Sequence, residues 1–306
     1  MRIGINGTGL VQKASVEAIV ADARQAREDG FASYWLAEHP TGGLDALTVL
    51  TAAGLQVPEI ELGTAVVPTF PRHPMVLAGQ ALTARRAVGD RLTLGIGLSH
   101  EAMMAQLGIP FDRPIRHLRE FLSILVPLLD EGRVSFHGEL IQCEADSFFE
   151  PGAHFPVVAA ALGPQALKVA GRLCDGTTLA WTGPRTIREH IVPRIREAAA
   201  EAGRAAPRII ASLPVCVTDD EARVRGRISE TLAMYGQLPS YAAMFEREGV
   251  QTPGELALVG SSGQVRDQLG VLAEAGVTDF AASAFPTSRE EGERTRELMC
   301  SLVGEA

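Results

Sequence analysis

Two histidines in this 306-residue chain are placed for proton transfer. His39 follows Glu38 at the end of a strand-like run over 34–37, and His100 follows Ser99 at the end of another over 91–97. An imidazole changes charge near neutral pH, and a carboxylate beside it can orient the ring or hold its charged form. The Glu38-His39 pair is the first candidate for acid–base work, and His100 the second. A third feature concerns binding. Gly163-Pro164 opens a helix over 165–173 directly after a strand-like run, and the free N–H groups of a helix start attract anions. A phosphate-bearing ligand is expected there. Metal chemistry is not expected: Cys143, Cys174, Cys216 and Cys300 lie far apart, without a CxxC or any ligand spacing, and read as reduced, mostly buried thiols.

The elements that must hold these groups alternate along the chain. Strands are predicted at 2–6, 34–37, 60–68, 91–97, 155–161, 175–181, 208–218 and 278–285. Helices are predicted at 16–28, capped by Ser15, and at 44–55, 74–88, 165–173, 184–202, 219–236, 240–248 and 264–275. After the fourth strand comes an excursion with helices at 100–109 and 114–129 and a hairpin at 134–144. Eight strand–helix units without a linker or composition shift predict an α/β protein, a single (β/α)8 TIM barrel forming one domain over 1–306. The opening "MRIGINGTGL" raises a dinucleotide-binding turn as a rival, but Gln12 stands where its third glycine belongs. In a barrel, Gly7 and Gly9 fall in a loop at the mouth and permit close backbone approach to a ligand.

Composition removes other classes. The net charge is −9, against a nucleic-acid or anionic-membrane partner. No apolar run approaches the roughly 18 residues of a membrane span, and no secretory signal pattern precedes the first strand, so a cytoplasmic protein with a small-molecule substrate is expected. The only lysines are Lys13 and Lys168, neither at a strand end, which disfavours a sugar phosphate as that substrate.

A barrel of this kind works at the C-terminal ends of its strands. Those ends are predicted at Asn6-Gly7, Glu38-His39, 65–69, 97–100, 160–164, 179–182, 214–218 and 284–286. Polar groups cluster at the second and fourth; the later ends are small and apolar, which suits a broad flat ligand touched mainly by backbone. Trp35 reads as core. Trp181 is open between core and pocket wall, and Arg72-His73 reads as a structural pair at a helix start.

The stretch "GTAVVPTFPRHPMVLAGQALTARRAVGDRLTLGIGLSH", with "AALGPQALKVAGRLCDG" and "GSSGQVRDQL" in the same order further on, resembles the luciferase-like flavin and deazaflavin barrel superfamily. Its Gly97-Leu98-Ser99-His100 ending is most similar to the subgroup that uses coenzyme F420. The resemblance implies an F420-dependent oxidoreductase that moves a hydride to or from a small organic substrate, by C=C or C=N reduction or by alcohol oxidation. The alternatives are an FMN-dependent monooxygenase on the same barrel and a non-catalytic flavin-binding protein. It also implies a homodimer and a non-prolyl cis bulge between Thr64 and Val66 behind the ring. Cofactor contacts are then expected at Asn6, at Ala65, Val66 and Val67, at Gly97, Leu98 and Ser99, and at Ala161, Leu162, Gly163 and Pro164. Sugar-phosphate-oxidising relatives use the histidine matching His39 in catalysis; they carry a carboxylate where His100 stands.

Overall fold

The computed structural model describes residues 1–11, 15–150 and 152–304. Among them, eight parallel strands close a barrel: β1 (Arg2–Asn6), β2 (Ser33–Leu36), β3 (Glu61–Thr64), β4 (Leu92–Gly97), β5 (Val157–Ala159), β6 (Gly176–Ala180), β7 (Arg208–Ser212) and β8 (Asp279–Ala284). β8 closes the ring by pairing with β1, Ile3 opposite Phe280. Helices cover the outside. The helix Pro74–Val88 starts on its proline and ends before Gly89, at the residues the sequence indicates. The helix Val16–Glu28 is capped by Ser15, whose hydroxyl accepts from the Ala18 N–H.

Inside the barrel, Trp35 is fully buried against Val158, Ile210 and Ala281. Its size dictates Gly63 on the neighbouring strand, where a Cβ would lie 2.1 Å from the indole. Below Trp35 the floor is ionic. Arg208 binds Glu61 and Asp279 at 2.8 Å each, Arg2 bridges the same two carboxylates, and Thr93 donates to Glu61. The Arg208 guanidinium lies 6.0 Å from the Trp35 ring centre.

The structure departs from the sequence reading at several joints. The predicted third strand, 60–68, is two pieces, Glu61–Thr64 and Val67–Pro68, separated by a cis Ala65–Val66 peptide; the second piece pairs with Ile96 and Gly97. The predicted seventh strand, 208–218, also breaks. Beyond Leu213, Pro214–Val217 leaves β7 and pairs instead with the end of β8 and with a short strand, Leu258–Gly260, that the sequence reading lacks. Cys216 and Thr218 are therefore placed beside the barrel, not at the end of β7, which is Ser212-Leu213-Pro214. The helix predicted at 184–202 contains a π-helical turn, Ile187–Ile191, and that at 219–236 divides into Glu221–Thr231 and Ala233–Gln237. A short helix, Thr8–Val11, follows β1 at once, where a long connection is predicted; Gln12 and Lys13 lie outside the described residues. A last helix, Arg289–Val303, closes the chain's packing against β1. The hairpin of the excursion is present, Val134–His137 with Gln142–Ala145, its turn held by Glu120, which accepts from the N–H groups of residues 139, 140 and 141. No helix among the described residues is long and apolar enough to cross a membrane.

Candidate functional site

A cleft of about 320 Å³ opens at the C-terminal mouth, a volume at the lower end of small-molecule sites. Asn6, Glu38, His39, Ala65, Val66, Ser99 and His100 all line it, so the structure brings together the ends of β1 to β4. The remaining expected contacts stand elsewhere. Val67 is fully buried, and Gly97 lies behind the cleft, where a Cβ would meet Val66 Cγ2 at 2.5 Å. Leu98 and the strand-five group, Ala161 to Pro164, are outside the lining. Among that group Ala161 is buried, and the Leu162 carbonyl accepts from His190 Nε2 at 2.7 Å. Gly163 precedes a helix, Pro164–Leu173, whose start has no side-chain cap, and the space over the Gly163 Cα is open, with nothing within 4 Å of where a Cβ would stand.

The floor of the cleft is a ledge of small residues. The Ala65 N–H donates to the Leu36 carbonyl and the Glu38 N–H to the Val66 carbonyl, which ties the ledge to the end of β2. Asn6 is held on both sides of its amide: it donates to Ser212 Oγ at 2.9 Å and accepts from the Thr8 N–H at 3.0 Å. Ser99 and Trp181, at the ends of β4 and β6, both adopt left-handed backbone, φ 66° and 55°. That conformation is rare for residues other than glycine and recurs where a chain end is held for function. Trp181 lines the cleft.

His39 and His100 face this space as neighbours, without a hydrogen-bond partner among the described residues. Burial lowers the pKa of both, and the His39 charge lowers His100 further. Both imidazoles are neutral at pH 7. This corrects the role given to Glu38. Its carboxylate turns away to Arg72, 2.6 Å, and to the N–H of Ala46, 3.4 Å, while Arg72 also holds Asp45 at 2.8 Å. Burial raises the Glu38 pKa against the pull of Arg72. Glu38 thus fastens the end of β2 to the loop after β3 and does not keep His39 charged. Arg72 and His73 are structural, as expected; His73 Nδ1 accepts from the Met75 N–H at the helix start. Gly7 too has a structural reason, since a Cβ there would lie 2.0 Å from the Tyr34 hydroxyl.

Sequence reasoning missed the far wall. Tyr235, on Ala233–Gln237, and Tyr241, on the helix Pro239–Glu248, stand over the cleft with Trp181 and His100. Two of the chain's three tyrosines fall within seven residues here, after the seventh strand, and that clustering was the available signal.

The pattern that defines the luciferase-like monooxygenases matches residues 3–279. Among relatives, the 5,10-methylenetetrahydromethanopterin reductase of Methanopyrus kandleri is 24% identical over 281 residues, 85% of this chain and 80% of that one. The F420-dependent glucose-6-phosphate dehydrogenase of Kineococcus radiotolerans is 30% identical over 68% of this chain and 67% of its own. Among solved structures, the coenzyme F420-dependent tetrahydromethanopterin reductase from Methanopyrus kandleri superposes with a TM-score of 0.82 at 21% identity, covering 100% of this chain and 98% of its own. A monooxygenase from Streptomyces bottropensis superposes at 0.80 and 23%, with both chains fully covered. With the barrel, the ledge and the mouth cleft in place, the chain belongs to the luciferase-like monooxygenase family and is an oxidoreductase of that barrel type.

Proposed function

We propose that the protein is a coenzyme F420-dependent oxidoreductase acting on a small organic substrate. The observation that carries this reading is the pairing, in one cleft, of a flat ledge of small residues with two unpaired neutral imidazoles. The residues fit a planar ring with a phosphorylated tail. Ala65 and Val66 would back the ring, with Asn6 and Ser99 at its edges. The helix start would take the tail phosphate on the N–H groups of Gly163, Gln165 and Ala166, Pro164 having none to donate, with the Leu162 carbonyl held aside by His190. Bound there, a deazaflavin supplies hydride exchange.

The chain's own part is proton handling and exclusion of water. A neutral His39 is a ready base: its ring nitrogen can take the proton of an alcohol as the carbon gives up hydride. In the reverse direction it must first be protonated, which its lowered pKa disfavours at pH 7. The site therefore suits oxidation at neutral pH and reduction at lower pH. Burial, and a charge on His39 when it is protonated, both disfavour a charge on His100 beside it.

Titration of the purified protein with F420 and with FMN tests the cofactor. F420 is expected to bind at micromolar concentration or below and FMN at least tenfold more weakly, a difference of about 1.4 kcal/mol. FMN binding as tight as F420 would overturn the deazaflavin assignment in favour of a flavin-dependent monooxygenase.

A further inference from the structure

The wall opposite the ledge is an unbroken aromatic series. Trp181 and Tyr235 have ring centres 4.7 Å apart, Tyr235 and Tyr241 5.8 Å, and Tyr241 and His100 5.5 Å. These are spacings at which π faces and edges attract. Among the described residues that line the cleft, none is lysine or arginine. The cavity that adjoins it, sharing Asn6, Ser283 and Phe285, does carry Arg227 and Arg296; Arg296 pairs with Asp22 and Asp29 but keeps one buried nitrogen, Nη2, without a hydrogen-bond partner, and Arg227 lies 3.7 Å from Glu230. An anionic substrate group in the cleft itself would meet no cation among the described lining residues, and desolvating it there is costly. The phenol groups are different. Neither Tyr235 nor Tyr241 has a hydrogen-bond partner among the described residues, and burial raises both pKa values, so each O–H stays protonated and available to donate.

The wall is also anchored. Glu248, at the end of the helix that carries Tyr241, accepts from the backbone N–H groups of Thr186 at 2.7 Å and Arg185 at 3.1 Å. Those amides belong to the short helix Pro184–Thr186 after β6, four and five residues beyond Trp181. Gly183 makes the approach possible, since a Cβ there would lie 2.3 Å from the Glu248 carboxyl carbon. A wall held on both sides loses little freedom when a ligand stacks on it.

We propose that Trp181, Tyr235 and Tyr241 are specificity-determining residues that select uncharged, flat, conjugated substrates, with the Tyr241 O–H donating to a carbonyl oxygen of the substrate. This rests on the reading of the cleft as the substrate site of an oxidoreductase, but its test does not need the cofactor. Benzylideneacetone and trans-cinnamate have nearly the same shape and differ in charge; glucose 6-phosphate is charged and not flat. Binding of each is measured by calorimetry on the cofactor-free protein and again on protein saturated with F420.

Benzylideneacetone is expected to bind at least tenfold more tightly than cinnamate, and glucose 6-phosphate not to bind measurably. Tyr235→Leu should weaken the ketone about threefold to tenfold, the range of one aromatic contact, while Tyr235→Phe stays within about twofold of the wild type. Tyr241→Phe should weaken the ketone about threefold to tenfold and leave styrene, which has no carbonyl, unchanged. Cinnamate or glucose 6-phosphate binding as tightly as the ketone overturns the proposal, and so does a ketone that fails to bind or is indifferent to Tyr235→Leu. If Tyr235→Leu fails to fold, the comparison of the three compounds on the wild type decides alone. Ketone selectivity in a protein that prefers FMN would sustain the wall and refute only the cofactor.

Discussion

The two ends of the barrel handle charge in opposite ways. At the floor every ionic group is answered: Arg208 holds Glu61 and Asp279, and Arg2 and Thr93 complete their hydrogen bonds. At the mouth, His39 and His100 have no hydrogen-bond partner among the described residues, and the carboxylate that lines the cleft, Glu38, is taken by Arg72. A half-buried imidazole without a partner is costlier charged than neutral, so its burial favours the neutral form. The floor spends its polar groups on holding strands together. The mouth keeps its polar groups unspent, which is what a site must do if a substrate is to be their partner. Polar residues alone do not mark an active site; unanswered ones do.

The sharpest way to break this comparison is at His39. A positioned acid or base contributes about 10²–10⁴-fold to a proton-coupled step. His39→Ala should lower turnover by about that factor and change the unfolding midpoint little, because no side-chain hydrogen bond or ion pair among the described residues is lost. His39→Asn should be almost as slow. Hydride transfer under saturating cofactor, alongside cofactor affinity, checks this; either variant keeping half of wild-type turnover makes His39 a wall residue and moves the proton to His100.

The corresponding experiment at the floor should give the reverse result. Arg208→Met keeps the stem over Trp35 but leaves Glu61 and Asp279 with Arg2 as their remaining cation. Removing one member of a buried ionic group costs about 3–5 kcal/mol, and the lower end applies here because Arg208 is partly exposed and Arg2 stays. The loss is read from urea denaturation, with turnover of the folded fraction unchanged. A cost below about 1 kcal/mol would mean that the floor is no more dependent on its pairing than the mouth.

Glu38 sits at the mouth but behaves like the floor. Glu38→Gln keeps a hydrogen bond to Arg72 and loses the charge; the expected cost is about 1–2 kcal/mol of stability, with turnover within about threefold of the wild type. A drop in turnover matching that of His39→Ala would restore Glu38 as the residue that tunes His39.

Glu38 also shows where the sequence stops being legible. Alternation of apolar runs with helix-like runs gave all eight barrel strands, because even a strand as short as Val157–Ala159 lies within a longer apolar run, and several are followed by a marked helix start such as Ser15 or Pro74. Adjacency in sequence placed Glu38 and His39 at the same strand end correctly, yet it could not say which way either side chain turns. Successive residues at a strand end point to different sides, and the partner of Glu38 is 34 residues away. The break at Leu213 and the strand Leu258–Gly260 were hidden for a related reason. Three residues hold no period, and what makes Pro214–Val217 leave β7 is its pairing with Ser283 and Ala284 of the distant β8. The tyrosine wall is set by an insertion anchored through Glu248 to the amides of Arg185 and Thr186, a tertiary contact with no local signature.

The smallest effect separates the two ends by pH alone. Burial lowers His39 and His100 below the ordinary imidazole value of 6.5, so between that value and their own the unfolded chain binds protons that the folded chain refuses. Their contribution to stability is complete above pH 6.5 and is lost as the pH falls through their lowered values. Glu61 titrates lower. Burial alone would raise it, but Arg208, Arg2 and Thr93 outweigh burial and hold it below 4.5, so its contribution is present above that pH and is lost only in stronger acid. Other histidines share the first limb. Burial lowers His117 to about 4 and lowers His190, and both act in the same direction as the mouth pair. His154 opposes them, because Asp130 and Asp175 raise it against the effect of its burial. The His39→Asn, His100→Asn double variant should therefore make the fall in urea midpoint as the pH drops below 6.5 shallower without abolishing it. Glu61→Gln should do the opposite, leaving the upper limb alone and flattening the lower one. A double variant that follows the wild-type curve through pH 6 would show that the mouth imidazoles are solvated or paired in the folded protein, and the contrast between the two ends would then have no physical basis.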